Sequence, residues 1–543
     1  LLIAIAGAVL RCTLVAYESR YANMSEKIFE TTPVLISSGL GPGIGRLTTP
    51  LWEQADNIYF DTFAARSNKG QQALVWTALT FDQHPGTFDA ATNTFDTAAT
   101  GFSGVMQVPE VPTGLFQQRL LNGNRAVFCG THFGLWMSPG DQNFADVSKA
   151  GRYTAMVDGV GARLATRWSA MQHGDWCIFT NGREPVQIYK PPGPTFVDLG
   201  GTSGLFTWCQ LVAKLGPHYL YINTSNDPRE VRWSADGNPE ALDPYVYVNA
   251  GRLLLSELST AAIAAVPLGR GLAVYSRSNM QMLNYIGSWG AIGASTTALV
   301  GVGAVSKQSI VAVGSLNYGL QKSGIFKTDG VSVQLVSDPA LGTWLERNVN
   351  WEQGSKIAGR YNPGTHKITW SLPMFNSTEN SRTLVYDTEA STFSFETVDF
   401  AFQVGLMPDV FIDPLIARYN GVISYADKGN SFNGGSVNRV LRTKPHDFGK
   451  RDKWKVLDMV QVEMTINSGP GPTLRIGQHF APEDPTSAVE WRGPFALQKD
   501  LAQYYVEAEG MMLEFELASN GVNDDWELNG LKFFGILEDG SGI

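Results

Sequence analysis

The segment Trp176-Cys177-Ile178-Phe179-Thr180-Asn181-Gly182-Arg183-Glu184-Pro185-Val186-Gln187-Ile188-Tyr189 constrains the fold more than any other. It reads as strand, tight turn, strand. Asn181-Gly182 can take the positive φ angles of a two-residue hairpin turn, and Ile178, Val186 and Ile188 are apolar positions on either side of it. The same form recurs with tips of Gly, Asn or Asp. Tyr219–Ile222 leads through Thr224-Ser225-Asn226-Asp227-Pro228 to Glu230–Ser234. Tyr245–Val248 and Arg252–Leu255 flank Asn249-Ala250-Gly251. Gly271–Ser276 and Gln281–Tyr285 flank Arg277-Ser278-Asn279, and Ile310–Val313 is followed by Tyr318–Leu320 and Gly324–Gly330. Strand groups spaced by about 40 residues match one four-stranded blade of a β-propeller. The repeat is degenerate, and about five to seven blades are expected.

Length and composition agree with an all-β chain. A chain of 543 residues exceeds one ordinary core, but a propeller adds blades around one axis without thickening any core. The 57 glycines and 27 prolines suit many turns and argue against a helical bundle. Charged residues are 17% and aromatics 11%. That balance fits either a protein that hides surface in an assembly or a large monomer with a big interior. A net charge of −10 makes tight DNA binding and a basic membrane-binding face poor candidates.

Three parts are expected. Residues 1–30 form an N-terminal arm that includes the apolar Leu1–Leu10, with Met24-Ser25-Glu26-Lys27 resembling a natural start. Residues 31–445 form the β-propeller. The charged junction Lys444–Lys453 then leads into 446–543, where Met459–Ile466, Leu474–Gly477 and Met512–Leu517 alternate with period two, as in a small C-terminal β-sandwich. Residues 82–104 read as a long exposed loop. Asp338–Asn348 reads as an Asp-capped helix, and Ser256–Ala265 as a second short one.

Chemistry is sought and mostly not found. Cys12, Cys129, Cys177 and Cys209 are far apart and read as buried free thiols. His84, His132, His173, His218, His366, His446 and His479 include no pair at the i, i+4 spacing of a helical zinc site. The glycines of GLGPGIG (39–45) lie between prolines and read as a structural loop, not a dinucleotide fingerprint. GxSxG and Walker patterns are absent. Ser234-Ala235-Asp236-Gly237 is similar to the Asp-box of sialidase-like propellers, but Gly237 directly follows Asp236 and the required Trp is missing. A glycosidase needs two carboxylates about 5–9.5 Å apart. Nothing places any two of Asp158, Asp175, Asp329 and Asp387 together, so these read as turn residues. The basic cluster Lys444, Lys450, Arg451, Lys453 and Lys455 is interleaved with Asp447, Asp452 and Asp458 and reads as a solvated linker. No catalytic, cofactor-binding or metal residues are assigned.

The stretch 176–400 resembles the β-propeller nozzle or hub proteins in the tails of tailed bacteriophages. The residues carrying the resemblance are Phe179–Pro185, Val231–Ser234, Pro267–Tyr275, Gly303–Gly314 and Gly324–Gly330, with Trp526–Gly530 similar to the closing strand of an appended sandwich. The resemblance implies a structural virion protein, not an enzyme. It would form a homo-oligomeric ring of about six copies around the DNA channel below the portal and adaptor, docking other tail or fibre proteins. An acidic wall would let DNA pass unheld, because like charges repel over about 8 Å. No cofactor and no membrane anchor are implied. The alternative is a glycan-binding or glycoside-hydrolysing propeller, such as a receptor-binding tail protein. A propeller scaffold for host protein partners is a third possibility.

Overall fold

The computed structural model describes residues 52–60, 64–67, 69–78, 102–139, 142–153, 167–287, 291–337, 339–397, 400–405, 413–432, 434–448, 453–480, 488–499 and 502–539. The expected N-terminal arm, the Gly/Pro-rich 33–50 segment, Cys12, His84 and Asp158 lie outside them. So does most of the expected 82–104 loop, whose last residues belong to the strand Phe102–Val105. The described residues fall into two compact units. One runs over 69–389 and 395–429, and the other holds the residues up to 67, 390–394 and those from 430 on. The division differs from the expected one. The propeller unit starts later and ends earlier than 31–445, and early residues join the C-terminal unit.

The first unit is a β-propeller. Six antiparallel sheets of four or five strands and one set of three, Ala358–Asn362, Lys367–Pro373 and Asn380–Asp387, follow one another as blades. Their innermost strands are Pro112–Arg119, Ser169–His173, Cys209–Leu215, Ala264–Leu268, Ile310–Val313, Ala358–Asn362 and Phe402–Val404. Each inner strand touches those of the blades before and after it, and the seventh touches the first, so the ring is closed. We number these blades 1–7.

Stacking buries both faces of a blade, and alternate residues of one strand serve two interfaces. In blade 2, Cys177 and Phe179 pack toward blade 1 with Phe128, whereas Ile178 packs toward blade 3 with Tyr219 and Tyr221. In blade 3, Leu220 and Ile222 face blade 4 with Leu272 and Val274. The intervening Ala273 and Tyr275 face blade 5 with Ile310 and Phe326. The side-chain period of two supplies both seams from one strand. The outer strand of blade 5 loses this double cover, and its residues Val333–Leu335 are exposed throughout.

Local chemistry explains where simple patterning misleads. The Asn181-Gly182 turn is not a two-residue hairpin. The strands are Trp176–Thr180 and Gln187–Tyr189, and the loop between them is held by the Asn181 side-chain oxygen, which accepts from the Arg183 and Glu184 amides at 3.0 and 2.9 Å. Tyr245–Val248 is turn, not strand. Asp243 Oδ1 accepts from the Tyr245 amide at 2.9 Å, and the Asp243 carbonyl accepts from Val246 and Tyr247. Ser256–Ala265 is not a helix: after a turn at Ser256-Glu257 it is irregular up to the inner strand Ala264–Leu268. The helix Pro339–Asn348 is present, with Asp338 outside the described residues.

Blade 7 is completed by chain from the other end of the propeller. Its strands Leu415–Ala417 and Ile423–Tyr425 are followed by Gln72–Ala73, with Ser424 opposite Ala73 and Tyr425 opposite Gln72. The Leu74 amide donates to the Ile423 carbonyl at 3.0 Å, the Ile423 amide to Met106 at 3.0 Å, and the Val108 amide to Gly421 at 3.0 Å. Leu74, Met106 and Val108 are buried with Leu115 and Val127 of blade 1 and Leu415 and Ile423 of blade 7. Beside this clasp, Arg360 of blade 6 meets Asp427 through both terminal nitrogens at 3.3 Å, and the Asn362 amide donates to the same carboxylate at 2.8 Å.

The second unit contains two five-stranded antiparallel sets. One runs Trp52–Asp56, Arg439–Thr443, Met512–Ser519, Thr473–His479, Glu490–Ala496. The other runs Ile58–Phe60, Ala65–Ser67, Asp525–Asp539, Lys453–Ser468, Gln503–Gly510. Both contribute to one core. Phe515 of the first stacks on Phe533 of the second at 4.2 Å between ring centroids, and Trp526 is fully buried nearby.

The clasp gives two expectations. Ile423→Ala should cost about 2–5 kcal/mol in urea unfolding, as for other fully buried aliphatic residues. Val333→Ala on an outer strand should change stability by less than about 0.5 kcal/mol. Burial works to raise the Asp427 carboxyl, but Arg360 and Asn362 prevail and hold it below the usual carboxylate range. Its contribution is therefore present above the unfolded value of about 3.9 and lost as pH falls through the lower native one. Asp427→Asn should cost about 3–5 kcal/mol at pH 7 by leaving Arg360 uncompensated. That deficit should narrow below about pH 4.

Candidate functional site

Where the chain enters each inner strand, the segments of all seven blades converge on a cavity of about 830 Å³. Val111–Thr113, Arg167, Gln210, Ala261–Ile263, Val305–Lys307, Gln353, Ser355–Lys356 and Ala401 enter from these starts. His132, Asn223, Thr378, Glu379 and Tyr419 come from loops between later strands. A cavity lined by every blade lies on the propeller axis. Its size is that of small-molecule sites.

Arg167 owes its position to its neighbour. The Trp168 amide donates to the Thr113 carbonyl at 3.1 Å and its indole N–H to Thr131 at 2.9 Å. Its ring lies where a Cβ on Gly130 would come within 2.3 Å, so only glycine leaves room for it. Trp168 is thereby fixed between blades 1 and 2, and Arg167 precedes it at the cavity wall. The guanidinium carbon stands 5.3 Å from the centre of the Phe402 ring. Nη1 is sealed from water without an acceptor, and the side chain forms no hydrogen bond or ion pair with any described residue. Burial lowers its pKa to about 10, with Tyr419 and Glu379 opposing the shift, so it is cationic at neutral pH.

Lys307 reaches across from blade 5, and its Nζ donates to the Arg167 carbonyl at 2.8 Å. Burial lowers its pKa to about 7. The neighbouring Cys209 thiol is pushed up to about 12 by its own burial and stays protonated. From the adjoining blade 6, Lys356 bonds Glu379 at 2.8 Å and the Thr378 carbonyl at 2.7 Å. Burial, then Glu379, raises the Tyr419 hydroxyl, which accepts from the Asn380 amide at 2.7 Å. Glu379 is the sole carboxylate of the described lining. Against it stand Arg167, Lys356 and a Lys307 that titrates near neutrality, so the cavity favours negative charge.

The residues considered from sequence lie elsewhere, His132 apart. Asp175 Oδ1 accepts from the Leu121 amide at 2.5 Å. Asp329 Oδ1 accepts from Val331 and Ser332 at 2.9 and 2.8 Å, and Asp387 Oδ1 from Glu389 at 2.9 Å. All three fasten turns. Of the Asp-box-like segment, Ser234 is buried and Asp236 lies 3.3 Å from His218. Cys129, Cys177 and Cys209 are buried and unbridged. In the basic cluster, Lys455 points inward, donating to the Lys453 and Met511 carbonyls at 2.6 Å, so it is not a solvated linker residue. Among the described residues no three His, Cys, Asp or Glu side chains gather as metal ligands. Arg167, Lys307 and Glu379 escaped sequence reasoning because each comes from a different blade with no shared spacing.

No protein-family model and no curated protein matches the chain. Among solved structures it is similar to the Cps50 (Swd1) β-propeller domain of Myceliophteria thermophila, with a TM-score of 0.37, 9% identity, and coverage of 58% of this chain and 97% of that one. It is also similar to YCF48 bound to a D1 peptide, with a TM-score of 0.35, 10% identity, and coverage of 59% and 94%. Neither likeness is close enough to carry a ligand or partner over.

The lowered pKa of the Lys307 amine makes stability pH-dependent. Between about pH 7 and 10.4 the unfolded chain holds a proton that native Lys307 has released, so stability rises with pH in that window. Lys307→Met should abolish this rise. Relative to wild type, the variant should be most favoured below about pH 7 and the difference should fade by about pH 10, as read by urea unfolding.

Proposed function

We propose that the protein is a structural component of a bacteriophage tail, a nozzle or hub. Copies would form a homo-oligomeric ring, of about six, below the portal and adaptor. Other tail or fibre proteins would dock on it, and DNA would pass without being held. The role requires shape, not catalysis. The observation that carries the reading is the apolar dressing of outer strands on consecutive blades. Val197 of blade 2 is exposed by 50%, Leu254 of blade 3 by 46%, Val300 of blade 4 by 73% and Leu335 of blade 5 by 52%. Tyr245 and Val248, in the turn before the outer strand of blade 3, are exposed by 97% and 84%. Outermost strands with unpaired backbone and apolar side chains invite pairing with other chains, and soluble monomers usually guard such edges with charge. A ring of copies would cover them. The axial cavity is of small-molecule size, so a DNA conduit would lie between copies, not within one propeller.

A second reading, a glycan-binding propeller, draws on the axial cavity, whose amides and hydroxyls suit a polar ligand. Hydrolysis there is not favoured, because two facing carboxylates are needed and the described lining supplies one.

Sedimentation velocity and negative-stain images of the purified protein should give a ring of about six copies. Tyr245→Asp combined with Val300→Asp should release folded monomers. A wild-type protein that stays monomeric at micromolar concentration would contradict the proposal.

A further inference from the structure

We propose that the axial cavity of the propeller is a binding site for a small organic oxyanion, a carboxylate or phosphate monoester, seated on the Arg167 guanidinium with Lys307 as the second cation. The inference stands apart from the tail reading and holds or fails without it.

Three observations carry it. A guanidinium cannot discharge at neutral pH, and an enclosed one without a counter-charge is costly. Arg167 approaches that position: it is half-buried at the cavity wall, Glu379 acts on it without bonding it, no carboxylate or carbonyl of the described residues accepts from it, and Nη1 is sealed without a partner. The acid that could neutralise it, Glu379, is already engaged by Lys356 at 2.8 Å. The group is also held in place. Trp168 is bonded to Thr113 and Thr131 and wedged against Gly130, and Phe402 lies under the guanidinium. A fixed, unsatisfied planar donor suits two parallel hydrogen bonds to a carboxylate or phosphate. Finally, the space is of the right kind. The cavity measures about 830 Å³, and Gln210, Asn223, Gln353 and Ser355 are among its polar lining residues. Small-ligand sites combine a largely apolar wall with a few such polar groups. Here Val111, Ile263 and Val305 supply part of that wall.

Lys307 provides the readout. At pH 7 the wild-type protein is acylated with an N-hydroxysuccinimide acetate in chloride, in inorganic phosphate and in sodium acetate at equal ionic strength. Labelling at each lysine is followed by peptide mass spectrometry. A bound anion beside Lys307 raises its pKa and blocks its approach, so its labelling should slow by about fivefold or more in phosphate, because a one-unit rise from about 7 cuts the neutral fraction at pH 7 from about one half to about one eleventh. The exposed Lys322 serves as the control and should not change. Slowing by phosphate and acetate together points to any oxyanion, and slowing by phosphate alone to a phosphate ester. Equal Lys307 rates in all three salts, including no labelling in any, would overturn the proposal. In parallel, phosphate should raise the Tm of wild type more than that of Arg167→Gln or Lys307→Met, the general salting effect being common to all three. Equal gains in wild type and in whichever variant folds would likewise overturn it.

Discussion

The propeller depends on the joining of its two ends. Seven sheets stacked face to face bury six seams without help, but the seventh exists only if blade 7 meets blade 1. The chain secures that seam with residues 70–74 and 106–108, which bond to the last strands of blade 7 and bury Leu74, Met106 and Val108 against both blades. Without it, two blade faces that are continuous with the core would be open to water. The Arg360–Asp427 pair and the Gln403 side chain, which donates to the Ala358 and Thr369 carbonyls of blade 6, brace the same region. Closure also defines the axis, and with it the cavity where all seven blades supply a wall.

Much of the fold is legible in the sequence because turns are local chemistry. Gly271–Tyr275 and Asn279–Gly287 follow directly from apolar runs around Arg277-Ser278, and the long strand Lys453–Ser468 from its period-two pattern. The failures are also local. Tyr245–Val248 has the residues of a strand, but Asp243 captures the following amides and winds the segment into turns. The unit boundary is hidden for a different reason. Trp52–Asp56 pairs with Arg439–Thr443, and Ala65–Ser67 with the last long strand, and no local pattern reveals a partner so far along the chain. The clasp is hidden likewise, since Gln72–Ala73 is two residues of ordinary character.

The site is less legible than the fold. Lys307 lies just before the legible strand Ile310–Val313, yet nothing in Ser306-Lys307-Gln308-Ser309 says that its amine meets the Arg167 carbonyl. The axis gathers one or two residues from each blade, and their separations along the chain follow blade lengths that vary. What a sequence can supply is the weaker hint that a cation at a strand entry, here Arg167 before Ser169–His173 and Lys356 before Ala358–Asn362, faces the axis once a propeller is suspected. The roles proposed for the exposed outer strands and for the charged cavity are separate, one toward large neighbours and the other toward a small anion.

Native-state hydrogen exchange at the clasp tests the closed ring most directly. If residues 70–74 and 106–108 complete blade 7, the amides of Leu74, Val108 and Ile423 should exchange only through global unfolding of the propeller, as slowly as those of the buried strand His218–Thr224. Exchange of these three amides at the rate of a loop, while His218–Thr224 stays protected, would mean that the seam is open and the account of a closed seven-bladed ring is wrong.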